Sequence, residues 1–546
     1  MPMSSLSDLS VLIVDPNPGM RGNLHNMLSQ ASITKIDYAV SAGTAIRQLG
    51  KKSFDLILCE YDLDVGSENG QDGQQLLEDL RHHRLIDPST IFIMLTSEGV
   101  HSKVMGAAEL APTDYVLKPF TVEGLLQRIA RAVDRRNALL PVYRHAQAGN
   151  LRDAIAACAG GAVKQPRYAG DFIRLRAELH AQLGEWSDAE SIYQEILASR
   201  ATGWAQLGLA RCQLEQGRPD DARQTLEQLI AENPRFMAAY DLLAADYAAM
   251  GQATQAKRVL EDAVAISPHV VRRLRQLGEL ALESDDIVAA ERAFRQVVAK
   301  AKYSEFRDPQ DHVNLVRTLV RRGDATQAAG VIRDLERSLR SGPNTEACRA
   351  YAASLVQELG GNDVGAASEL TRAVGAVQAA QGLSGRLKRD IVQGCLRHRL
   401  DGEAATVVLH MMNDGADALT ADEATDVFEK AGRHDLAVAV RKMVTQQVDA
   451  LVSDAAEQLD RGDHRGAVAT ITAAVRRTPG NVPVLIAAAR TVLRQLDDLG
   501  WEAPLGEQAA NLLARLRTLD PANGALDHLT AQYVATQRKY GIAAHG

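Results

Sequence analysis

Four residues of unlike chemistry each close a short apolar run near the front of the chain. Asp15 follows residues 11–14, Glu60 follows 56–59, Thr96 follows 91–95 and Lys118 follows 115–117. Two carboxylates, a hydroxyl and an ammonium would therefore stand at the C-terminal ends of four strands, which is where an open α/β sheet presents side chains to a ligand. A further β-branched run, 33–40, supplies the remaining strand, and stretches with helical apolar spacing such as Leu76, Leu77 and Leu80 lie between the runs. Apolarity along the runs is continuous rather than alternating, as strands covered on both faces by helices require. These observations predict an α/β doubly wound domain built on a five-stranded parallel sheet.

Composition bounds the rest. The chain has 546 residues, enough for several domains, and its 46% apolar and 24% charged content is that of a folded globular protein rather than a disordered or membrane-embedded one. Aromatics at 4% argue against large β-sandwiches. The 61 Lys and Arg against 69 Asp and Glu leave a net charge of -8, so no protein-wide attraction to nucleic acid is expected. Cys59, Cys158, Cys212, Cys348 and Cys395 are single and widely spaced, which suggests neither a disulfide framework nor a zinc knuckle and fits a reducing, cytoplasmic setting. Residues 1–10 lack a basic segment leading into a long apolar run, so neither secretion nor membrane insertion is expected.

The segments VLIVDPN at 11–17, DLILCEYDL at 55–63, IMLTSE at 93–98 and DYVLKPF at 114–120, in this order, give residues 8–137 a resemblance to the CheY-like receiver domains of two-component response regulators. The domain boundary is set at 1–137. The resemblance implies a flavodoxin-like fold and a pocket in which an aspartate ending the third strand takes a phosphoryl group from a histidine kinase. It also implies two acids after the first strand that hold magnesium, and a hydroxyl, a lysine and an aromatic switch residue that read the acyl phosphate. Thr96, Lys118 and Tyr115 match the last three. The phosphoacceptor position holds Glu60 instead, and Pro16 replaces the second acid beside Asp15. Losing a carboxylate weakens any magnesium site, which would draw on Asp15, Glu60 and Asp62. Glutamate carries its carboxylate about 1.5 Å further from the backbone than aspartate, by one C–C bond, toward the place where phosphoryl oxygens would meet Thr96 and Lys118. A pseudo-receiver follows: Glu60 pairs with Lys118 and imitates the phosphorylated state, no cofactor is required, and any magnesium binding is weak. A purely structural ion pair, and phosphorylation at Glu60 or Asp62 with magnesium, stand as alternatives.

From about residue 140 a period of 34 residues takes over. Leu209, Leu243 and Leu277 step by it, as do Ala210, Ala244 and Gly278, Ala222, Ala256 and Ala290, and Leu226, Leu260 and Phe294. Small residues recur where two antiparallel helices approach closely, Gly217 and Gly251 fall at turns, and Pro234 and Pro268 close units. The pattern resembles the tetratricopeptide repeat, and implies an all-α superhelical solenoid whose first helices line a concave protein-binding surface. Repeats are expected over 138–340, degenerate helical repeats over 341–446, and further repeats over 447–546, where Ala455, Gly462, Ala467 and Ile471 restore the pattern. Inner-face positions carry Leu207, Arg211, Asp241 and Arg275, unlike the Lys and Asn of carboxylate-gripping relatives. Trp204 and Tyr240 are either groove anchors or, more in keeping with their surroundings, packing between repeats.

Residues 122–142 read as one helix with no Gly, Ser or Pro-rich linker behind it, bearing Arg128, Arg131 and Arg135 along one face. Past residue 140 there is no glycine-rich phosphate loop, no His-Glu-x-x-His and no nucleophile elbow, and the 14 histidines do not cluster, so no enzyme and no catalytic residue is expected. The expected partners are other proteins on the concave surface, with a histidine kinase, another receiver or a receiver-mediated homodimer as further possibilities. A phosphorylation-dependent regulator and a DNA-binding transcription regulator are the rival readings.

Overall fold

The apolar runs form five parallel strands: β1 (Ser10–Val14), β2 (Lys35–Ala39), β3 (Leu56–Glu60), β4 (Ile91–Ser97) and β5 (Asp114–Lys118), in the spatial order β2-β1-β3-β4-β5. The structure, a computed structural model, describes residues 6–63, 72–97, 112–199, 202–268, 270–301, 307–414, 419 and 421–542. Side chains alternate between the two faces of a strand, so a buried run must feed two cores. Val11 and Ile13 pack with Leu24, Leu28, Leu125 and Ile129 on one face, while Leu12 and Val14 pack with Ile46, Leu76, Leu77 and Leu80 on the other. The register sets Glu60 beside Leu95 and Lys118 beside Ser97, so the C-terminal ends of β3, β4 and β5 lie level.

The helices on these faces start where the sequence supplies caps. The Asn17 side chain accepts from Gly19 and Met20 to open α1 (Pro18–Gln30), and Ser41 opens α2 (Ala42–Leu49). Asp72 and Gln75 form a reciprocal capping box at the start of α3 (Gly73–His82). The next helix, α4 (Val122–Gln147), is capped by Thr121 and at 1.5 Å per residue runs about 39 Å, longer than the sheet it covers. Its first half, with Leu125, Ile129 and Val133, belongs to the sheet core. Its second half, with Ala138, Leu139 and Val142, packs instead with Ala154, Cys158, Phe172 and Leu179. The expected boundary at 137–138 thus falls inside one helix that serves both parts.

Antiparallel helices follow: α5 (Leu151–Lys164), α6 (Ala169–Gln182), α7 (Trp186–Ser199), α8 (Gly203–Glu215), α9 (Pro219–Glu232), α10 (Met237–Ala249), α11 (Ala253–Ile266), α12 (Val271–Glu283) and α13 (Ile287–Ala301). The small-residue columns are close approaches. A Cβ on Gly208 would stand 2.3 Å from the Tyr193 ring, and one on Gly278 would stand 2.7 Å from the Phe294 ring. Ala222, Ala256 and Ala290 are fully buried beside Leu226, Leu260 and Phe294. The turns need a left-handed residue, which Gly217 (φ 73°) and Gly251 (φ 72°) supply; 34 residues on, Asp285 takes the same conformation (φ 58°).

By its internal contacts the chain divides into two units, Met1–Asp311 and His312–Gly546. In the second, the stretch with weak column matches still forms helical pairs: Pro343–Leu359 with Asp363–Val377, and Gly385–Arg397 with Asp401–Asn413. Their turns again use left-handed residues, Gly361 and Arg399. Helix Val482–Leu499 centres a final cluster, joined by Ile471, Leu513, Leu516 and Leu529.

Candidate functional site

At the strand ends, Asp15 is 1% exposed. Its Oδ1 accepts from the Asn17 amide at 2.8 Å, and its Oδ2, buried without a hydrogen-bond donor among the described residues, lies 3.9 Å from Lys118 Nζ. Lys118 Nζ donates to Glu60 Oε2 in an ion pair whose side chains are 25% and 12% exposed. The other Glu60 oxygen accepts from the Asp62 amide at 3.3 Å. Glu60 therefore reaches across the strand ends to the β5 ammonium, as its extra methylene allows, and Asp62 sits exposed beyond it. Thr96 is fully buried and donates to the Ser97 carbonyl at 3.4 Å. Tyr115, half-buried, packs with the α2–α3 core, and burial pushes its hydroxyl up to about 12 against the pull of Arg81.

The implied magnesium site can be tested against these contacts. A magnesium ion wants six oxygens at about 2.1 Å. Among the described residues, the free Asp15 oxygen already lies 3.9 Å from Lys118 Nζ, one Glu60 oxygen is held by Lys118 and the other by the Asp62 amide, the Asp62 carboxylate is exposed beyond them, Pro16 supplies none, and the Arg21 guanidinium is spent on the Asp15 and Pro16 carbonyls at 2.6 and 3.0 Å. The donors present do not fit the ion.

One feature absent from the sequence reading ties the pocket to α3. The Gly73 amide donates to the Tyr61 carbonyl at 2.7 Å, and the Tyr61 hydroxyl bonds the Asp72 carboxylate that caps the helix. A Cβ on Gly73 would stand 2.5 Å from the Glu60 carbonyl oxygen, so α3 starts in direct contact with the residue in the phosphoacceptor position. The Asp72-x-x-Gln75 capping signature was the signal in the sequence that could have located this junction.

Among the repeat residues, Leu207 is 3% exposed in the α8–α10 core, and Tyr240, 6% exposed, donates to the Pro234 carbonyl at 3.1 Å. Neither belongs to an open groove: both are packing, because each fills the space between stacked helices. Trp204 stacks edge-on against Tyr193 with Arg174 over its ring at 5.3 Å. Arg211 is exposed. Asp241 receives Arg273 in a two-pronged bond at 2.7 and 2.8 Å and Arg272 at 2.9 Å, and Arg275 grips Asp311 at 2.6 and 2.8 Å. Of the three arginines on the basic face of α4, Arg128 bonds Asp114, Arg135 bonds Asp171 on α6 at 2.5 and 3.0 Å, and Arg131 is exposed.

Residues 11–130 match the family model of the response regulator receiver domain, and residues 201–247 match that of the tetratricopeptide repeat. The chain is a CheY-like receiver domain joined to tetratricopeptide repeats, the architecture of a two-component-type signalling protein equipped for protein interaction. Its front is 27% identical over 129 residues to the chemotaxis protein CheY of Pseudomonas aeruginosa, covering 24% of this chain and 99% of that one. It is 25% identical over 128 residues to CheY-3 of Vibrio cholerae, covering 23% and 94%. Two solved structures are similar to the helical part. One is a tetratricopeptide repeat protein from Parabacteroides merdae (14% identity, TM-score 0.31, 48% of this chain and 98% of that one). The other is the C-terminal part of a repeat-containing protein from Cytophaga hutchinsonii (12%, 0.36, 48% and 98%). No described helix is long and apolar enough to cross a membrane.

Proposed function

We propose that this protein is a signal-transduction adaptor in which an atypical receiver supports or controls protein binding by the repeats, with association rather than turnover as its output. The observation that carries the reading is the Lys118–Glu60 ion pair. In a phosphorylated receiver a lysine here would meet an acyl phosphate; in this chain a built-in carboxylate already occupies it. Phosphoryl transfer depends on positioning and on neutralising the developing charge. A pocket with its lysine committed, one strand-one acid missing and a donor set unsuited to magnesium serves it poorly. The receiver works without a metal, and its partners are polypeptides. The acidic net charge of -8 disfavours the DNA-binding alternative.

The test is intact-mass analysis of the full chain after incubation with acetyl phosphate and magnesium, with affinity capture from a lysate of its source in parallel. The expected result is no added phosphoryl group and one or more co-purifying proteins whose yield falls for Glu60→Gln and Glu60→Ala. A stable acyl phosphate on Glu60 or Asp62 would overturn the pseudo-receiver reading. Partner yields identical in all variants would reduce the receiver to a structural front domain, and a salt-sensitive gel shift with DNA would favour the transcription-regulator reading.

A further inference from the structure

Between the two segments that match family models, the 34-residue pattern continues backward into the receiver's last helix. Val142, Gly149, Ala154 and Cys158 precede Ala177, Gly184, Ala189 and Tyr193 by 35 residues, and these precede Ala210, Gly217, Ala222 and Leu226 by 33. The structure keeps the phase. Gly149 takes the left-handed turn conformation (φ 79°), as Gly184 (76°) and Gly217 (73°) do, and Val142, Ala154 and Cys158 are buried. A Cβ on Gly161 would stand 2.4 Å from the Phe172 ring, a close helix approach like those at Gly208 and Gly278. The second half of α4 with α5 is therefore the first hairpin of the solenoid, and its first helix belongs to the receiver as well.

Pro141 sits where α4 passes from one core to the other. Proline has no N–H, so the Asn137 carbonyl loses its helical donor, the usual cause of a bend in a long helix. Two bonds span this weak point from opposite sides. Arg135, in the receiver half, reaches forward to Asp171 of α6 in a two-pronged bond at 2.5 and 3.0 Å. Gln147, in the repeat half, reaches back to Asp87 in the turn between α3 and β4. Arg136 anchors the helix to Asp55 at 2.9 Å, and Asp55 is held in turn by the Ser10 amide and hydroxyl at 2.9 and 2.7 Å. Asp55 directly precedes β3, whose last residue is Glu60, so one strand runs from this anchor to the candidate pocket.

We infer that the receiver is the built-in N-terminal cap of the solenoid, locked in one pose by the Arg135–Asp171 and Gln147–Asp87 bonds instead of swinging on Pro141. A solenoid end needs such a cap, because its outermost hairpin has no neighbouring repeat to cover it. A polypeptide bound on the first repeats then meets the receiver in a single orientation. The inference rests on the adaptor reading for its use in signalling, but the pose is measured with no partner present.

Spin-label distance measurement on the full chain tests it. The native cysteines are all buried, so labels are carried by cysteines introduced at exposed positions, Lys51→Cys in the receiver and Glu195→Cys in α7. The expected result with both joint bonds present is a single narrow distance distribution. With Arg135→Ala and Gln147→Ala combined, its width should roughly double as a hinge opens at Pro141, while the β3 and β4 amides stay protected from hydrogen exchange. A broad distribution with the bonds present, or the same narrow one without them, overturns the lock. Should the combined variant lose sheet protection, Gln147→Ala alone, at an exposed position, decides by the same two readings. Failure here leaves the phosphotransfer and capture results standing, so the two ideas fall separately.

Discussion

Replacing Gly73 by alanine adds one methyl group at the junction of pocket and helix. The ideal Cβ would lie 2.5 Å from the Glu60 carbonyl oxygen, 2.8 Å from Met94 Sδ and 3.2 Å from Cys59 Sγ. Real Cβ atoms do not approach within 3.0 Å of such atoms, and the nearest one is strand backbone rather than the end of a flexible side chain. Met94 and Cys59 are both fully buried in the α2–α3 core, so neither has room to retreat. The helix must therefore move outward by several tenths of an ångström or β3 must bend. Overpacking of this kind costs about 1–3 kcal/mol. The movement also stretches the 2.7 Å bond from the Gly73 amide to the Tyr61 carbonyl. All three tryptophans, Trp186, Trp204 and Trp501, lie in the repeats, so their fluorescence is blind to the receiver. Exchange of the β3 and β4 amides under conditions of global opening of that domain reports its stability instead. The expected loss is about 1–3 kcal/mol, together with faster exchange in α3 than in α1, which lies on the other face. A Gly73→Ala protein with native sheet protection and native α3 exchange would refute the claim that pocket and helix are in rigid contact.

Other outcomes are expected elsewhere. Burial pushes the Glu78 carboxyl up to about 7, with Arg273 and Arg272 opposing and Asp72 and Asp241 assisting. The folded chain thus holds the proton more tightly than the unfolded one, so this contribution is complete below the ordinary glutamate range and is lost as pH rises through about 7. Protection of α3, corrected for intrinsic exchange, should be higher at about pH 6 than at about pH 8, and Glu78→Gln should flatten that dependence; a wild-type profile already flat would contradict it. Arg399 holds a left-handed conformation (φ 57°) at an exposed turn, so Arg399→Gly should stabilise the second unit by about 0.5–1 kcal/mol in urea unfolding. Gly208→Val, which drives a side chain into the Tyr193 ring, should destabilise the repeats by about 1–3 kcal/mol or more, read by the Trp186 and Trp204 emission.

The sheet was legible because its chemistry is local: runs such as 11–14 and 56–59 are apolar at every position, and only strands covered on both faces need that. The site residues were legible for the same reason, each being the first polar residue after such a run. The Glu60–Lys118 pairing followed from side-chain length and is present. What escaped depends on residues far apart in sequence. Nothing in the composition of α3 says that the Gln74 side-chain oxygen is shielded from water and Glu78 half-buried while Arg81 stays exposed. Leu207 and Tyr240 occupy first helices, but stacking turns them toward neighbouring helices, which the 34-residue period alone does not resolve. The turn at Asp285 breaks the glycine column of Gly217 and Gly251 yet keeps its conformation, because a short polar side chain tolerates it.

The central claim is that a carboxylate resident at the phosphoacceptor position holds the β5 lysine, and a double-mutant cycle measures this directly. Glu60→Gln, Lys118→Met and the double variant would be compared by exchange of the β3 and β4 amides. With side chains 12% and 25% exposed, the pair lies between surface and buried extremes, and a coupling of about 1–3 kcal/mol is predicted. A coupling indistinguishable from zero, with both single variants folded, would contradict it.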